Sequence, residues 1–213
     1  NGTASDLILV KASPAQTIAA PINIDMNVAG TVEIVGGFGT CTDPLPIAGL
    51  RTTVSLNSPS AFTIQNAGAS TRTFTLQQVA LIAGVGSGRL VDVSGRVFVN
   101  VDDALLSAGK ANDGGNVRMA GPKVTLFIAG GATIYSGDAT NNGGGVHCSG
   151  GGSVLLDDGG ISDNDADVAG GGIYLDGCSM NVFAGGGSVG CPGGTNRGIV
   201  CNTAGPGSLI GSG

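Results

Sequence analysis

"NNGGGVHCSGGGSVLLDDGGISDNDADVAGGGIYLDG", residues 141–177, contains the same short pattern twice. A glycine triplet is followed by a β-branched residue, Val146 in the first copy and Ile173 in the second, 27 residues later. Ile134 and Ile161 repeat the same step between the two copies. A period of this length indicates a repeat architecture in which each unit buries its apolar side chains against its neighbours.

The period extends upstream of this segment. Val97 and Val124 are 27 residues apart, and so are Leu90 and Val117. Each period contains three apolar runs of three to five residues, bounded by Gly, Asp, Asn or Ser, as expected of short strands joined by turns. Even "DDALLSAGKA", residues 102–111, fits the period better as strand than as helix. The sequence therefore predicts an all-β, single-stranded parallel β-helix, which is right-handed by the usual rule for parallel crossovers.

The composition fits such a solenoid and excludes several other classes of protein. Glycine supplies 41 of 213 residues but comes in clusters, not at the every-third position of collagen. With 41% hydrophobic and 11% charged residues, the chain is too apolar for a disordered protein. The net charge of −6, without a basic stripe, argues against a nucleic-acid partner.

We expect one domain over residues 1–213. Residues 1–60 contain strand-like runs at irregular spacing and are interpreted as capping coils, with an excursion at "CTDPLP", residues 41–46. Residues 61–213 are interpreted as regular coils, about seven turns in all, with the stack continuing or meeting a partner beyond residue 213. No apolar run approaches the ~20 residues that span a bilayer. A start at Asn1 suggests a mature secreted chain.

Five cysteines without a CxxC pair, together with a single histidine, favour disulfides over a zinc site. Disulfides in turn indicate an oxidising, extracellular compartment. Cys191 and Cys201 flank a turn-rich segment and are the first predicted pair. Cys148 and Cys178 lie about one repeat apart and are predicted to bridge neighbouring coils, whereas Cys41 has no assigned partner.

The repeated turns have their own expected roles. Glycine is expected where stacked turns require a positive φ or leave no room for a Cβ. This applies to Gly143, Gly144, Gly145, Gly170, Gly171 and Gly172. Asn164 is expected to join a ladder of stacked turn amides.

The GGG-[IV] motifs at Gly143–Val146 and Gly170–Ile173, with "ISDN" at 161–164, resemble the repeats of bacterial surface β-helix proteins. The nearest named family is the polymorphic outer-membrane proteins, whose repeats resemble autotransporter passengers. The resemblance implies a secreted or surface-displayed chain with an adhesive or structural use. It implies no particular ligand.

Three segments suggest chemistry. Asp157, Asp158, Asp163, Asp165 and Asp167 form an acidic cluster that could hold Ca²⁺ or act on a polysaccharide, although solvated turn residues explain it more simply. "GGSVG", residues 186–190, matches a hydrolase motif around Ser188, but a helix cannot follow it. "LIAGVGSGRL", residues 81–90, is interpreted as a β-helix corner and not as a nucleotide-binding turn.

The favoured hypothesis is an extracellular structural or adhesive β-helix without a catalytic residue, a metal or a cofactor. Its partner would be another copy of itself, in a filament, or a cell-surface glycan. The alternative is a polysaccharide-binding or polysaccharide-cleaving β-helix that uses the Asp157–Asp167 face, with Arg197 as the nearest cation. His147, beside Cys148, is interpreted as an ordinary packed or surface imidazole.

Overall fold

The computed structural model describes residues 5–11, 16–27, 30–40, 42–183, 198–200 and 203–204. Within these ranges all regular structure is β-strand, and every strand pairing is parallel. None of these residues belongs to a helix long and apolar enough to cross a bilayer. The strands stack as a solenoid of about six turns with about 27 residues per turn, which confirms the predicted parallel β-helix.

Three or four strands make one turn of the chain. The first three turns contain β1 (Ser5–Lys11), β2 (Gln16–Ile18), β3 (Ile22–Asp25), β4 (Thr31–Phe38), β5 (Thr52–Leu56), β6 (Ser60–Asn66), β7 (Arg72–Gln77), β8 (Val79–Ala83) and β9 (Arg89–Gly95). The next three contain β10 (Val97–Asp102), β11 (Leu105–Ser107), β12 (Lys110–Ala111), β13 (Val117–Ala120), β14 (Thr125–Ala129), β15 (Thr133–Tyr135), β16 (Asp138–Ala139), β17 (Val146–Ser149), β18 (Ser153–Leu156), β19 (Gly160–Ser162), β20 (Asp165–Ala166) and β21 (Ile173–Asp176). They are followed by β22 (Ser179–Val182), β23 (Gly198–Val200) and β24 (Thr203–Ala204).

The strands form four sheets that run along the solenoid. Sheet A has the order β1-β4-β7-β10-β14-β18-β22, and sheet B has the order β2-β5-β8-β11-β15-β19-β23. Sheet C comprises β3-β6-β9-β13-β17-β21, and sheet D comprises β12-β16-β20-β24. Sheet D was not predicted, since its strands are only two residues long and carry no apolar run.

The prediction of about seven turns is slightly too high, since two of the steps between paired residues are longer than the usual period. Thr31 pairs with Thr73, and residues 39–40 and 42–51 lie between β4 and β5, where the excursion at 41–46 is predicted. Further on, Gly160 pairs with Gly198, a step well above the usual period. The predicted equivalence of Leu90 and Val117 is wrong by one residue, since Val117 pairs with Val91.

The core consists of columns of inward side chains, one from each turn. In sheet C the column Phe62, Val91, Val117 and Val146 is in register, and each side chain is at most 3% exposed. Equivalent columns run through Ile34, Leu76, Val101, Ile128 and Leu156 of sheet A and Leu81, Leu106, Ile134 and Ile161 of sheet B. Because strands of successive turns lie ~4.8 Å apart, equivalent apolar side chains contact one another directly and exclude water.

The glycine triplets cross the solenoid where sheet D lies against them. Gly143 and Gly170 begin the two triplets with φ of +69° and +63°, in the turn conformation expected of them. Gly144, in the middle of the first triplet, faces the backbone of Asp165 and Gly171 so closely that a Cβ would have no room. Backbone packs directly on backbone at Gly144, which explains why this position is occupied by glycine.

A buried pair of asparagines completes this narrow part of the core. Asn164 accepts hydrogen bonds from the Gly137 N–H (2.8 Å) and from Asn116 Nδ2 (3.2 Å). Its own Nδ2 donates to the carbonyl oxygens of Ile134 (3.1 Å) and Ser162 (2.9 Å). The predicted ladder of turn amides does not extend to the preceding turn, where the residue equivalent to Asn164 is Gly137. The equivalent position in the following turn, residue 202, lies outside the described residues. The two asparagines instead come from different columns, two turns apart.

The predicted disulfide between Cys148 and Cys178 is present. Cys148 lies on the inner face of sheet C, fully buried, and Cys178 comes just before β22 of the following turn. The sequence separation is 30 residues, and a loop of that size corresponds to a stabilisation of about 3.6 kcal/mol in the chain-entropy account. Cys41, Cys191 and Cys201 lie outside the described residues, as does the predicted Cys191–Cys201 pair.

Candidate functional site on the outer face of sheet C

Four functional side chains stack on the outer face of sheet C, in four successive turns. Asp92, Arg118, His147 and Tyr174 are paired in register from β9 to β21. Each directly follows a residue of the inward valine and isoleucine column, so the alternation of a strand points it outward. We call these four residues the sheet C row.

The first member, Asp92, is held by two arginines. Arg89 Nη1 lies 2.8 Å from Asp92 Oδ2, and Arg118 Nη1 lies 3.6 Å from the same oxygen. The Arg89 side chain is only 13% exposed and also donates to the carbonyl oxygens of Gly114 and Asp113. Burial lowers the pKa of Arg89, and the charge of Asp92 opposes that change. Asp92 is thus neutralised by a cation that is itself fixed to the backbone.

Arg118 is placed differently. Its side chain is 42% exposed, and its contact with Asp92 is longer than a hydrogen bond. The better partner of Asp92 is Arg89, at 2.8 Å. The partly exposed guanidinium of Arg118 therefore has donors that can meet a carboxylate or a hydroxyl.

The third and fourth members form an aromatic pair. The His147 and Tyr174 rings are stacked, with centroids 5.4 Å apart and planes inclined by 12°. Burial is the main cause that lowers the pKa of His147, and the positive charges of Arg118 and Arg89 act in the same direction. Asp113 and Asp176 oppose it. The lowered pKa favours the neutral imidazole of His147, and its Nδ1 is buried without a hydrogen-bond partner in the described part of the chain.

Beside the row runs a shelf of small residues. Two positions further along each strand the outward residues are Ser94, Ala120 and Ser149, paired in register and partly exposed. Each is followed by a corner residue without a side chain, namely Gly95, Gly121 and Gly150. The long side chains of the row therefore border this low, polar shelf, which runs along the solenoid axis. Asp176 is the last residue of the shelf.

The lowered pKa of His147 makes the free energy of unfolding depend on pH. A histidine whose pKa is lowered by folding binds protons more readily when unfolded, so its contribution is complete above about pH 6.5 and declines as the pH falls through the folded-state pKa. We expect His147→Gln to flatten the change in free energy of unfolding between pH 7 and pH 5. Urea titrations of both proteins across this range measure it. Parallel pH profiles would contradict the assignment.

The predicted acidic cluster is divided among separate parts of the structure. Asp157 and Asp158 form the corner between sheets A and B, whereas Asp163 forms the corner between sheets B and D. Asp158 (φ 57°) and Asp163 (φ 52°) have the left-handed conformation that aspartate tolerates better than most residues. Asp165 and Asp167 are exposed in and after β20. Among the residues with defined positions, no three acidic, histidine or cysteine side chains form a group that could hold a metal ion.

The other residues and segments that the sequence suggested for chemistry do not form a second site among the described residues. Ser188 and Arg197 lie outside the described residues. The glycine-rich segment 81–90 is a corner between β8 and β9, as expected, and not a phosphate-binding turn before a helix. His147 is on the outer face of β17, where it is partly exposed.

The chain was also compared with known proteins. No family model, curated protein or solved structure matches it. The candidate site consequently has to be judged from its own chemistry.

Sequence reasoning missed Asp92, Arg118 and Tyr174 as a group. A signal for them exists, because each follows an inward residue of one column by a single position. Residues 26 to 29 positions apart in the sequence become neighbours only when the register of the solenoid is correct.

Proposed function

We propose that the chain is an extracellular adhesive scaffold that binds a surface, a glycan or another copy of itself through the outer faces of its solenoid, without catalysis. The observation that carries the proposal is that charged side chains on these faces join different turns to one another. Arg51 lies 2.8 Å from Asp103, and Lys110 Nζ lies 2.6 Å from Asp138. These acids are committed to cations, whereas acid–base catalysis needs a carboxyl group that can exchange a proton.

The compartment is inferred from the disulfide. A bond between Cys148 and Cys178 persists in oxidising surroundings, which favours a secreted or cell-surface protein. The resemblance of the glycine motifs to bacterial surface repeats supports the same assignment. A stack of turns of similar size also places outward side chains in long rows at a constant spacing, which suit an extended ligand better than a small molecule.

The proposal is tested by incubating the purified protein with a panel of plant, bacterial and animal polysaccharides. We expect no new reducing ends and no absorbance from unsaturated products, together with co-sedimentation of the protein with at least one polysaccharide or with itself. Release of products would contradict the proposal.

The acidic face of the alternative hypothesis has a direct test of its own. The double variant Asp163→Ala, Asp165→Ala removes one partly exposed and one exposed carboxylate from this face. If Ca²⁺ raised the Tm of the parent protein by several degrees but not that of the double variant, a calcium-bearing, polysaccharide-active face would replace the scaffold proposal. An unchanged Tm in both proteins is the result that the scaffold proposal expects.

A further inference from the structure

We propose that the sheet C row and its shelf bind a linear polysaccharide that carries carboxylate groups, with the polysaccharide chain lying along the solenoid axis. This inference rests on the proposed function, since it names the ligand that the scaffold would hold. It is carried by three features of the outer face of sheet C, which are its charge, its shape and its spacing.

Arg118 provides the positive charge that would bind a carboxylate. Asp92 is satisfied by Arg89 at 2.8 Å, so Arg118, at 3.6 Å and 42% exposed, is the cation of the row with free donors. A guanidinium binds a carboxylate through two parallel hydrogen bonds, a geometry that hydroxyl groups match less well. Asp176 at the far end of the shelf would repel a carboxylate, so we place the acidic sugar beside Arg118.

The step between the row and the shelf has a shape that fits a sugar chain. Ser94 and Ala120 form the shelf beside Asp92 and Arg118, and Ser149 continues it beside His147 of the His147–Tyr174 stack. A sugar ring lying on this shelf would place its apolar C–H groups against the aromatic edges and its hydroxyls near the serines and the neutral imidazole. Both kinds of contact are typical of amphipathic aromatic residues at binding surfaces.

The spacing of the row fits a glycan better than a peptide. Members of the row repeat at the strand spacing of ~4.8 Å, whereas side chains on one face of an extended peptide repeat at about 6.6–6.8 Å. A β-1,4-linked pyranose chain is extended and advances by nearly the strand spacing with each sugar. Successive sugars, and not successive peptide side chains, would therefore meet successive members of the row.

The experiment measures binding of the intact protein to three probes by affinity electrophoresis and calorimetry. The probes are a β-1,4-linked polyuronate, the same polymer with its carboxylates methyl-esterified, and a neutral β-1,4-glucan. We expect the polyuronate to bind at least tenfold more tightly than its ester, with an affinity that falls as salt is added. Equal binding of polyuronate and ester would overturn the proposal.

Single-residue variants test whether the polyuronate binds to the outer face of sheet C. Arg118→Gln is expected to weaken polyuronate binding about tenfold or more, the effect of losing a hydrogen bond to a charged group. Tyr174→Ala should also weaken it, whereas the matched controls Lys110→Gln and Tyr135→Ala, exposed on sheets D and B, should change it less than twofold. Equal losses in the controls and in the row variants would place the ligand elsewhere and refute the assignment.

The outcomes also separate this inference from the proposed function. Absence of binding to every probe, without product release, would overturn the glycan site and leave the scaffold proposal in place. Binding followed by product release would leave the site in place and overturn the scaffold proposal. Should Arg118→Gln fail to fold, the comparison of polyuronate with its ester still decides the question with the unmodified protein.

Discussion

Replacing Gly144 by alanine is expected to lower the free energy of unfolding by about 4 kcal/mol, which is at the upper end of single-substitution effects. A Cβ at this position would stand within 2.6 Å of three backbone atoms, Asp165 O, Asp165 C and Gly171 O. Backbone in the next turn cannot rotate away as a side chain can, so the turns themselves would have to separate. Urea unfolding of the variant, followed by circular dichroism, measures the loss.

The matched control is Gly86→Ala. Gly86 has φ of +78°, and nothing lies within 4 Å of a Cβ added there, whereas Gly144 has no left-handed strain. The control therefore isolates the cost of the backbone conformation, about 1–2 kcal/mol. If Gly144→Ala cost no more than Gly86→Ala, the close contact between the glycine triplet and sheet D would be wrong.

Much of the fold could be predicted because its core obeys a simple rule. Each turn must supply an apolar side chain to the same columns, so Val146 and Ile173, or Ile134 and Ile161, recur at a fixed interval. Tight turns between strands favour glycine, and the triplets mark the same place in successive turns. Both signals are local enough to read directly from the amino-acid sequence.

The pairing of Asp92 with Arg118 in the candidate site was not predicted because it depends on register, and register was wrong in this one turn. Leu90 and Val91 are both fully buried, and both donate backbone hydrogen bonds to the carbonyl oxygen of Asn116. Two consecutive buried residues break the alternation at this point, and the predicted Leu90–Val117 pairing follows from the break. A slip of one residue moves the outward side chains of a strand to the opposite face. Asp92 was therefore not placed beside Arg118.

Other features depend on contacts between distant residues. The αL corners at Asp158 and Asp163 serve the turns between sheets, so an acidic cluster in sequence becomes separate corners in space. Pairing of Asn116 with Asn164 joins two residues that are 48 positions apart and not equivalent in the repeat. The period of the sequence predicts which positions are equivalent, but it does not predict contacts between positions that are not equivalent.

The hydrogen-bonded pair Asn116 and Asn164 is where the second large loss of stability is expected. Replacing Asn164 by alanine is expected to lower the free energy of unfolding by about 4 kcal/mol, because it removes four hydrogen bonds inside the core. The Gly137 N–H and the Ile134 carbonyl oxygen would lose their hydrogen bonds to Asn164 while remaining buried. A buried polar group without a partner costs about 1–3 kcal/mol. Chemical denaturation measures the change, and Asn181→Ala, at an exposed position of sheet A, is the matched control and should stay within about 0.5 kcal/mol.

The role of the pair, as distinct from that of either residue, is measured by adding Asn116→Ala. Asn116 occupies the room opposite Gly137, and Asn164 occupies the room opposite Gly145, so each asparagine fills space that a glycine of the intermediate turn leaves. If the two side chains act as one unit, the double variant should lose less stability than the sum of the single variants, by about 0.5–3 kcal/mol. Strict additivity would mean that the 3.2 Å contact between them contributes nothing, and that each asparagine serves only its own backbone partners.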